Sequence, residues 1–504
     1  RHSSGQYSVV NSAALDTAGI NKNTLTPAGS LIIRDAQGEA TGVLCHYPAE
    51  NLVGKHATGY GGRSDEQKFE DIKIGQNLCL EAGYTSIQDV IVGQINDIKL
   101  YKQFADSGLF KVRLYAMLYL DYPAQADSFA KYFKPIDSGL FKFGGWKLAQ
   151  DGGVAAGTVM MYDKSLQASR IAYQYHSQGQ LDSMVKTLYN TGLQVAVHVG
   201  GDEGIDMTIT AFERAISAKP RTDPRLRIEH GLFPSATALQ RMKASNIILS
   251  TQPQWITWYG DGFARATDDA TMKRFLPLKT MLDGGIHLAF GCDVPASIFQ
   301  EPKYALYGAV MRRPMFSETV YNPIQKLTIQ EALRIHTMGS AYASFSDSTT
   351  GSLEPGKFAD LVIWSHDMYT MDPSETINLA AEMTIVGGAI AYDAGKNPVT
   401  SVSMHGGLPI RPEHCTLSQN YPNPFNPSTT IQFQVPEAAE VELVITDLLG
   451  QKVIVLADQR YDAGSHSIRW NGLDDAGKHV SGGVYLVVLK SGGTRDIKKL
   501  VLLK

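Results

Sequence analysis

The sequence predicts an α/β fold: a TIM-like (β/α) barrel that lacks its first strand, with a small flanking β-sheet and a C-terminal immunoglobulin-like β-sandwich. Apolar strands alternate with helical segments between residues 84 and 293, which is typical of a parallel sheet. Four of these strands carry a titratable side chain at or near the C-terminal end, where barrel enzymes hold their active sites. Beyond residue 415 short strands alternate with Gly-rich and Asp-rich turns, which favours a sandwich.

The candidate site consists of four side chains from four strands. Two apolar strands stop on His198 and His230, a third ends near Asp293, and an earlier one centres on Lys147. Each is weak evidence alone, because buried polar groups are usually just paired, Asp293 could cap a helix and Lys147 could lie along the surface. Together, in the order Lys, His, His, Asp, they predict one shared site at a barrel mouth.

Length and composition narrow the functional classes. A chain of 504 residues predicts two or three domains. The formal net charge of −4 predicts neither nucleic-acid binding nor strong attraction to a membrane surface. No apolar run reaches the ~18 residues of a transmembrane helix. The four cysteines form no Cys-x-x-Cys motif, so they predict neither a disulfide framework nor a zinc knuckle.

The elements follow in chain order. A hairpin is predicted at 31–34 with 41–44, and a helix at 65–82. Seven barrel strands come next, whereas a complete barrel needs eight; they lie at 84–89, 111–118, 247–252 and around the four candidate side chains. The predicted domains are a barrel, a small β domain, a linker and a C-terminal unit at 1–345, 346–393, 394–415 and 416–504.

Residues 3–392 resemble the amidohydrolase superfamily, in particular the branch called amidohydrolase family 3. The matching segments lie at 9–15, 83–89, 146–152, 198–202, 227–230, 291–295 and 351–360. The resemblance implies that Lys147 is carboxylated by CO₂ and binds metal. It implies that His198 and His230 are imidazole ligands, and that Asp293 both binds metal and carries the catalytic proton.

The implied cofactor is a divalent metal, with zinc the expected element and one or two ions bound. A metal-bound hydroxide would attack the carbonyl carbon of a small amide-type substrate, and Asp293 would pass the proton to the leaving nitrogen. The expected reaction is hydrolysis of carbon–nitrogen bonds other than peptide bonds. The alternative is a catalytically dead barrel that acts as a secreted binding protein.

Two departures from the family pattern affect this expectation. Relatives carry a His-x-His pair on their first strand, and this chain has no such pair; we therefore expect the given sequence to lack that strand, to bind metal weakly and to turn over poorly. Gln6 stands where many relatives have His, so we expect it to alter substrate contacts. Trp255 and Trp258 are candidate walls of an apolar substrate pocket, although core or lid packing is an equally good interpretation.

The tail has a resemblance of its own. The run Asn-Tyr-Pro-Asn-Pro-Phe-Asn-Pro at 420–427 resembles the opening of the C-terminal sorting domains of the bacterial type IX secretion system. The resemblance implies a secreted or cell-surface protein, with the type IX machinery as a partner. An adhesive or carbohydrate-binding sandwich is the alternative.

Overall fold

The structure is a computed structural model, and the chain divides into two compact units, Arg1–Asn397 and Pro398–Lys504. The predicted domain boundaries stay predictions. The residues that the structure describes are 7–27, 30–56, 63–120, 122–132, 134–154, 157–163, 173–294, 301–315, 317–395, 415–417, 420, 425–436, 438–447, 450–462, 464–492 and 494–502.

The first unit begins with a small antiparallel sheet. Its strands β1 (Tyr7–Val9), β2 (Leu31–Arg34) and β3 (Ala40–Cys45) have the order β1-β3-β2. The predicted hairpin is confirmed as β2 and β3, while β1 lies in a stretch whose sequence predicts loops. Three helices accompany this sheet and lead towards the next: α1 (Ser12–Thr17), α2 (His46–Gly54) and α3 (Asp65–Glu81).

A curled parallel sheet forms the centre of the first unit. Seven of its strands are parallel, and a short strand pairs antiparallel with one edge of the longest. The strands are β4 (Ser86–Val92), β5 (Arg113–Tyr119), β6 (Ile136–Ser138, the antiparallel one), β7 (Phe141–Ala149), β8 (Gln194–Val199), β9 (Arg227–His230), β10 (Ile248–Thr251) and β11 (Leu288–Phe290).

Helices follow the strands as the alternation predicts. Serine caps begin two of them: Ser177 and Ser235 each accept a hydrogen bond from a backbone N–H in the first turn. The helices of this region are α4 (Ile95–Asp106), α5 (Pro123–Tyr132), α6 (Gln178–Tyr189), α7 (Asp202–Ala218), α8 (Ala236–Ala244), α9 (Gln254–Ala266), α10 (Asp269–Met272), α11 (Leu278–Asp283), α12 (Pro302–Met311), α13 (Ile329–Arg334) and α14 (Ser340–Ala343), with a π-helix at Ile335–Gly339 and 3₁₀ turns at Pro323–Gln325 and Pro373–Asn378.

The sheet does not close into a barrel within the described residues. Its order is β11-β10-β9-β8-β7-β5-β4, so β4 and β11 are its two edges. The predicted seven parallel strands are therefore present, but the structure supports a half-barrel rather than a complete TIM barrel short of one strand. The core has apolar side chains on both faces of the sheet; the adjacent residues Val195 and Ala196 of β8 point to opposite faces and are both fully buried, as the unbroken apolar run predicts.

A second small sheet packs on the helix α3. Its strands β12 (Leu361–Trp364), β13 (Ala381–Val386) and β14 (Ala389–Asp393) are antiparallel, as the sequence predicts. Thr384 Oγ1 donates a hydrogen bond to the carbonyl oxygen of Leu80 at the end of α3. The guanidinium of Arg113 on β5 also binds Asp360 with two hydrogen bonds of 2.6 and 3.0 Å, which fixes this sheet to the parallel one.

The second unit consists of two antiparallel sheets. One has the order β15-β16-β19 and the other β18-β17-β20-β21. Their facing side chains form one apolar core around Trp470 and Phe425, as expected of an immunoglobulin-like sandwich. The strands are β15 (Thr416–Leu417), β16 (Thr429–Val435), β17 (Ala439–Thr446), β18 (Lys452–Tyr461), β19 (Gly464–Trp470), β20 (Gly483–Ser491) and β21 (Thr494–Leu502).

Candidate functional site

The four predicted side chains lie towards the carboxyl edge of the parallel sheet. Lys147 is on β7, His198 is next to last on β8, His230 ends β9, and Asp293 follows β11 by three residues. The strands β7, β8 and β9 are neighbours, and the register pairs Val199 with His230. Because carboxyl ends of parallel strands share one edge, the topology places these groups on one rim.

The two histidines are in direct contact. Their ring centroids are 4.4 Å apart, with the planes at 73°. Burial lowers the pKa of His198 well below its usual value, and the positive charges that His230 and Lys147 can carry lower it further. His198 is therefore a neutral imidazole at neutral pH, which is the form that can bind a metal ion.

Each imidazole has one nitrogen engaged with an oxygen acceptor. His198 Nε2 lies 3.1 Å from the carbonyl oxygen of Gly152, and His230 Nδ1 lies 2.7 Å from Gln252 Oε1. An oxygen acceptor requires the proton to sit on the nitrogen that faces it. Nδ1 of His198 and Nε2 of His230 therefore carry the lone pairs.

Lys147 is buried, with only 1% of its surface exposed. Burial lowers the pKa of its amine to about 8, although the negative charges of Glu229 and Asp293 oppose that shift. The same electrostatic coupling shows that Lys147 shares its surroundings with Asp293 as well as with His198. A lysine in this state is substantially neutral near pH 8, and a neutral amine is the form that reacts with CO₂.

Near Lys147 lies a buried ion pair, whose two charges both act on the Lys147 amine. Arg227 Nε is 2.8 Å from Glu229 Oε1, and both side chains are almost wholly buried. Burial opposes the ionisation of Glu229, yet the positive charges of Arg227 and Lys147 overcome it and lower the pKa of this carboxyl. The sheet therefore holds a buried charge pair in register with Lys147 and His198, since Arg227 pairs with Ala196 beside Lys147 and Glu229 pairs with His198.

Backbone strain coincides with the site. His230 and Asp293 adopt left-handed backbone conformations, with φ of +75° and +54°, which cost about 1–3 kcal/mol each in residues other than glycine. At His230 the conformation is held by two hydrogen bonds: Thr251 Oγ1 donates to the His230 carbonyl, and Gly231 N donates to Val199 O. The same backbone conformation also occurs away from the site, for example at Leu276 and Phe345, so it does not by itself mark the site.

Asp151 anchors the loop that follows His198. This carboxylate is fully buried and accepts hydrogen bonds from the backbone N–H groups of Gly200, Gly201 and Met160, at 2.8, 2.9 and 3.0 Å. Asp151 directly precedes Gly152, whose carbonyl faces His198. The end of β7 thus fixes both the backbone after His198 and the orientation of its ring.

The aromatic candidates differ in position. Helix α9 presents Trp255 parallel to the His230 ring, at 5.1 Å and 13°, so Trp255 borders the site. Trp258 instead contacts Tyr304 of α12, at 5.0 Å and 60°, which favours helix packing. Gln6 lies outside the described residues. The sequence predicts no helix at α9, because its two glycines and its aromatic residues have low helix propensity.

Three residues near the histidines are absent from the sequence-based candidates. Gln252 contacts His230, Glu229 acts on Lys147, and Asp151 holds the glycine turn after His198. Glu229 and Asp151 are adjacent to strand-end motifs and could be found by asking which acids follow or precede them. Gln252 carries no such signal, since only the pairing of β9 with β10 brings it to His230.

The donor chemistry fits a divalent ion. The described part of the chain holds no group of three or more His, Cys, Asp or Glu side chains placed to bind a metal. Lysine is outside that set of residue types, and carboxylation would turn Lys147 into an oxygen donor. Two adjacent imidazoles with one lone pair each, together with Lys147 and Asp293, match the nitrogen and oxygen ligands that zinc and similar ions prefer.

Comparison with known proteins identifies the family of the first unit. The model of the amidohydrolase family (Amidohydro_3) matches residues 1–392. The chain belongs to the amidohydrolase family. This finding confirms the family resemblance of the first unit.

Individual relatives of this amidohydrolase are distant. The N-substituted formamide deformylase of Arthrobacter pascens is 27% identical over 391 residues, covering 76% of this chain and 71% of the relative. The protein LONG AFTER FAR-RED 3 of Arabidopsis thaliana is 26% identical, covering 77% and 67%. An uncharacterized metal-dependent hydrolase from Pyrococcus horikoshii shares the fold with a TM-score of 0.59 at 22% identity, covering 73% of this amidohydrolase and 71% of that chain.

The tail matches a different model from the one its motif predicts. Residues 422–494 match the FlgD Ig-like domain, which agrees with the observed antiparallel sheets. The type IX sorting role, the secretion machinery as partner and the extracellular location stay predictions. No helix among the described residues is long and apolar enough to span a bilayer.

Proposed function

We propose that this amidohydrolase is a metal-dependent hydrolase of carbon–nitrogen bonds in small amide-type molecules. The observation that carries the proposal is the pair of contacting imidazoles at the carboxyl edge of the sheet, each with one ring nitrogen facing an oxygen acceptor and the other nitrogen left for a cation. The family membership supports the reaction class. The fold shared with a metal-dependent hydrolase supports the dependence on metal.

Four side chains have assigned roles in this proposal. His198 Nδ1 and His230 Nε2 would hold the ion, and Lys147, as a carbamate, would provide oxygen donors. A bound divalent ion supplies a water nucleophile at neutral pH and polarises the amide carbonyl. Asp293 accepts the proton of that water on a carboxylate oxygen and returns it to the leaving nitrogen, so that a carboxylic acid and an amine are released.

The surrounding residues keep these groups in their reactive forms. Burial holds His198 neutral and brings the pKa of Lys147 to about 8, which leaves a neutral amine for addition of CO₂ and loss of one proton. Trp255 covers one face of the His230 ring and excludes water from it. We propose that the same indole forms a wall of the substrate pocket.

The test is hydrolysis of defined amides by the metal-reconstituted chain. N-substituted formamides and simple N-acyl amines are incubated with protein loaded with zinc, manganese or cobalt, and the released amine is quantified. We expect amine release that disappears with a chelator and returns with metal. H198A, H230A and D293N should each lose it by about 10²-fold or more.

His366 offers a matched control, because it is an exposed histidine two residues after the end of β12. H366A should keep the wild-type rate and metal content. Equal rates in H366A and H198A, or amide hydrolysis that a chelator leaves untouched, would contradict the proposal. Binding of amides without any turnover would favour the alternative of a secreted binding protein.

A further inference from the structure

We propose that Gln252 is a positioning residue that fixes the His230 ring with its proton on Nδ1 and its lone pair on Nε2. Gln252 directly follows β10, which pairs in parallel with β9. Its Oε1 lies 2.7 Å from His230 Nδ1, and both side chains are buried. An amide oxygen can only accept, so the contact requires the Nδ1–H form of the imidazole.

Gln252 also lies against the segment that carries Asp293. A Cβ atom added to Gly291 would be 3.5 Å from Gln252 Nε2, so the amide lies beside the backbone that leads from β11 to Asp293. One side chain therefore contacts His230 directly and is close to the start of the Asp293 segment. A shorter or apolar side chain would leave His230 Nδ1–H without its acceptor at a buried position.

Trp255 acts on the same ring in a different way. Its indole lies parallel to the imidazole at 5.1 Å, which restricts the tilt of the ring but leaves the position of the proton open. Among the hydrogen bonds of the described residues, only that of Gln252 reaches a ring nitrogen of His230. Gln252 therefore sets the tautomer. Losing such a partner of a metal-binding histidine typically lowers metal affinity about 10–100-fold.

The inference rests on the proposed function only for the ion that Nε2 would bind; the tautomer is a property of the metal-free chain. The first measurement is therefore the ¹⁵N imidazole spectrum of metal-free, [¹⁵N]histidine-labelled full chain, with His230 assigned by the missing signal in H230N. In the wild type we expect Nδ1 protonated and Nε2 unprotonated. Q252L should shift His230 towards exchange between both tautomers.

Q252E provides the conservative variant, because a carboxylate accepts from Nδ1–H as the amide does. It should keep Nδ1 protonated, and it keeps the inference testable if Q252L does not fold. Q254L is the matched control: Gln254 is equally buried, but it donates to the carbonyl oxygen of Gly291 and has no contact with His230 among the described hydrogen bonds. Its His230 signals should match those of the wild type.

Zinc affinity measured by calorimetry on the same proteins separates the two proposals. A tautomer shift in Q252L with a 10–100-fold loss of zinc affinity supports both. A tautomer shift in a chain that binds no zinc supports the role of Gln252 and contradicts the proposed function. An unchanged His230 tautomer in folded Q252L, or exchange between tautomers in Q252E, would overturn the role of Gln252 whatever the affinity for zinc.

Discussion

The two units of this amidohydrolase bury their sheets in opposite ways. The parallel sheet encloses Lys147, Glu229, Arg227 and Asp151. The sandwich of the second unit has an apolar core, and its buried polar side chains, among the described residues, are the uncharged Asn420, Thr429 and Ser491. In the part of the chain that the structure describes, it is the first unit that buries charged side chains.

This difference in buried charge indicates which unit is the better place to look for catalytic residues. Burying a charge costs stability unless it is paired, and the pairing returns only part of that cost. A sheet that carries four such groups near one edge has kept them in spite of that cost, and perturbed titratable groups of this kind cluster at functional sites. The described part of the sandwich buries no charged side chain, so its core gives no such signal.

The largest expected effect of a substitution is a loss of folding stability in the sandwich. Trp470 is buried there, contacts Phe425 and Tyr485, and donates a hydrogen bond of 2.8 Å to the carbonyl oxygen of Leu473. W470A should destabilise this unit by about 3–5 kcal/mol, since it removes a large buried ring. Amide hydrogen exchange resolved by peptide should show lost protection in residues 425–502, with the peptides of β7 to β9 unchanged. An equal loss of hydrogen-exchange protection in both units would contradict the division of the chain into two compact units.

A substitution at Lys147 is expected to have a smaller effect on folding stability, and one of the opposite sign. Its pKa is about 8 in the folded chain and 10.5 in the reference state, so below pH 8 both states are protonated and the native state carries the full cost of burial. K147M should therefore stabilise the metal-free chain by up to about 3 kcal/mol at pH 7. That gain should shrink as the pH rises from 8 to 10.5, where the wild-type lysine is neutral when folded.

Urea unfolding in CO₂-free buffer at several pH values measures this difference. K147R serves as the control, because its charge persists over the whole range and it should show no such recovery with pH. A stability difference between wild type and K147M that stays constant from pH 7 to pH 10.5 would show that Lys147 is not held in the low-dielectric interior as described.

The sequence predicts the fold and the candidate site only in part. The apolar runs that stop at His198 and His230 predict two buried strands with their polar groups at one edge, and the structure brings the rings into contact. Local pattern could not predict helix α9, because its packing against α12 overrides the weak propensity of its residues. Nor could it give Gln252 as the partner of His230, since that contact depends on the register between strands.

The closure of the sheet is the other limit of sequence reasoning. Seven strands of barrel type predict a barrel short of one strand, yet pattern alone does not say whether the two outer strands meet. In the structure β4 and β11 remain edges of a half-barrel. Strand type follows from local apolar runs, whereas closure depends on the tilt and stagger of every strand together.

The central claim is that His198 and His230 form one cation site. The most direct measurement is titration of Co²⁺ into the metal-free chain, followed by its visible absorption. We expect ligand-field bands in the wild type and in H366A, and loss of those bands at the same metal concentration in H198A and in H230A. Bands of equal intensity in all four proteins would contradict it.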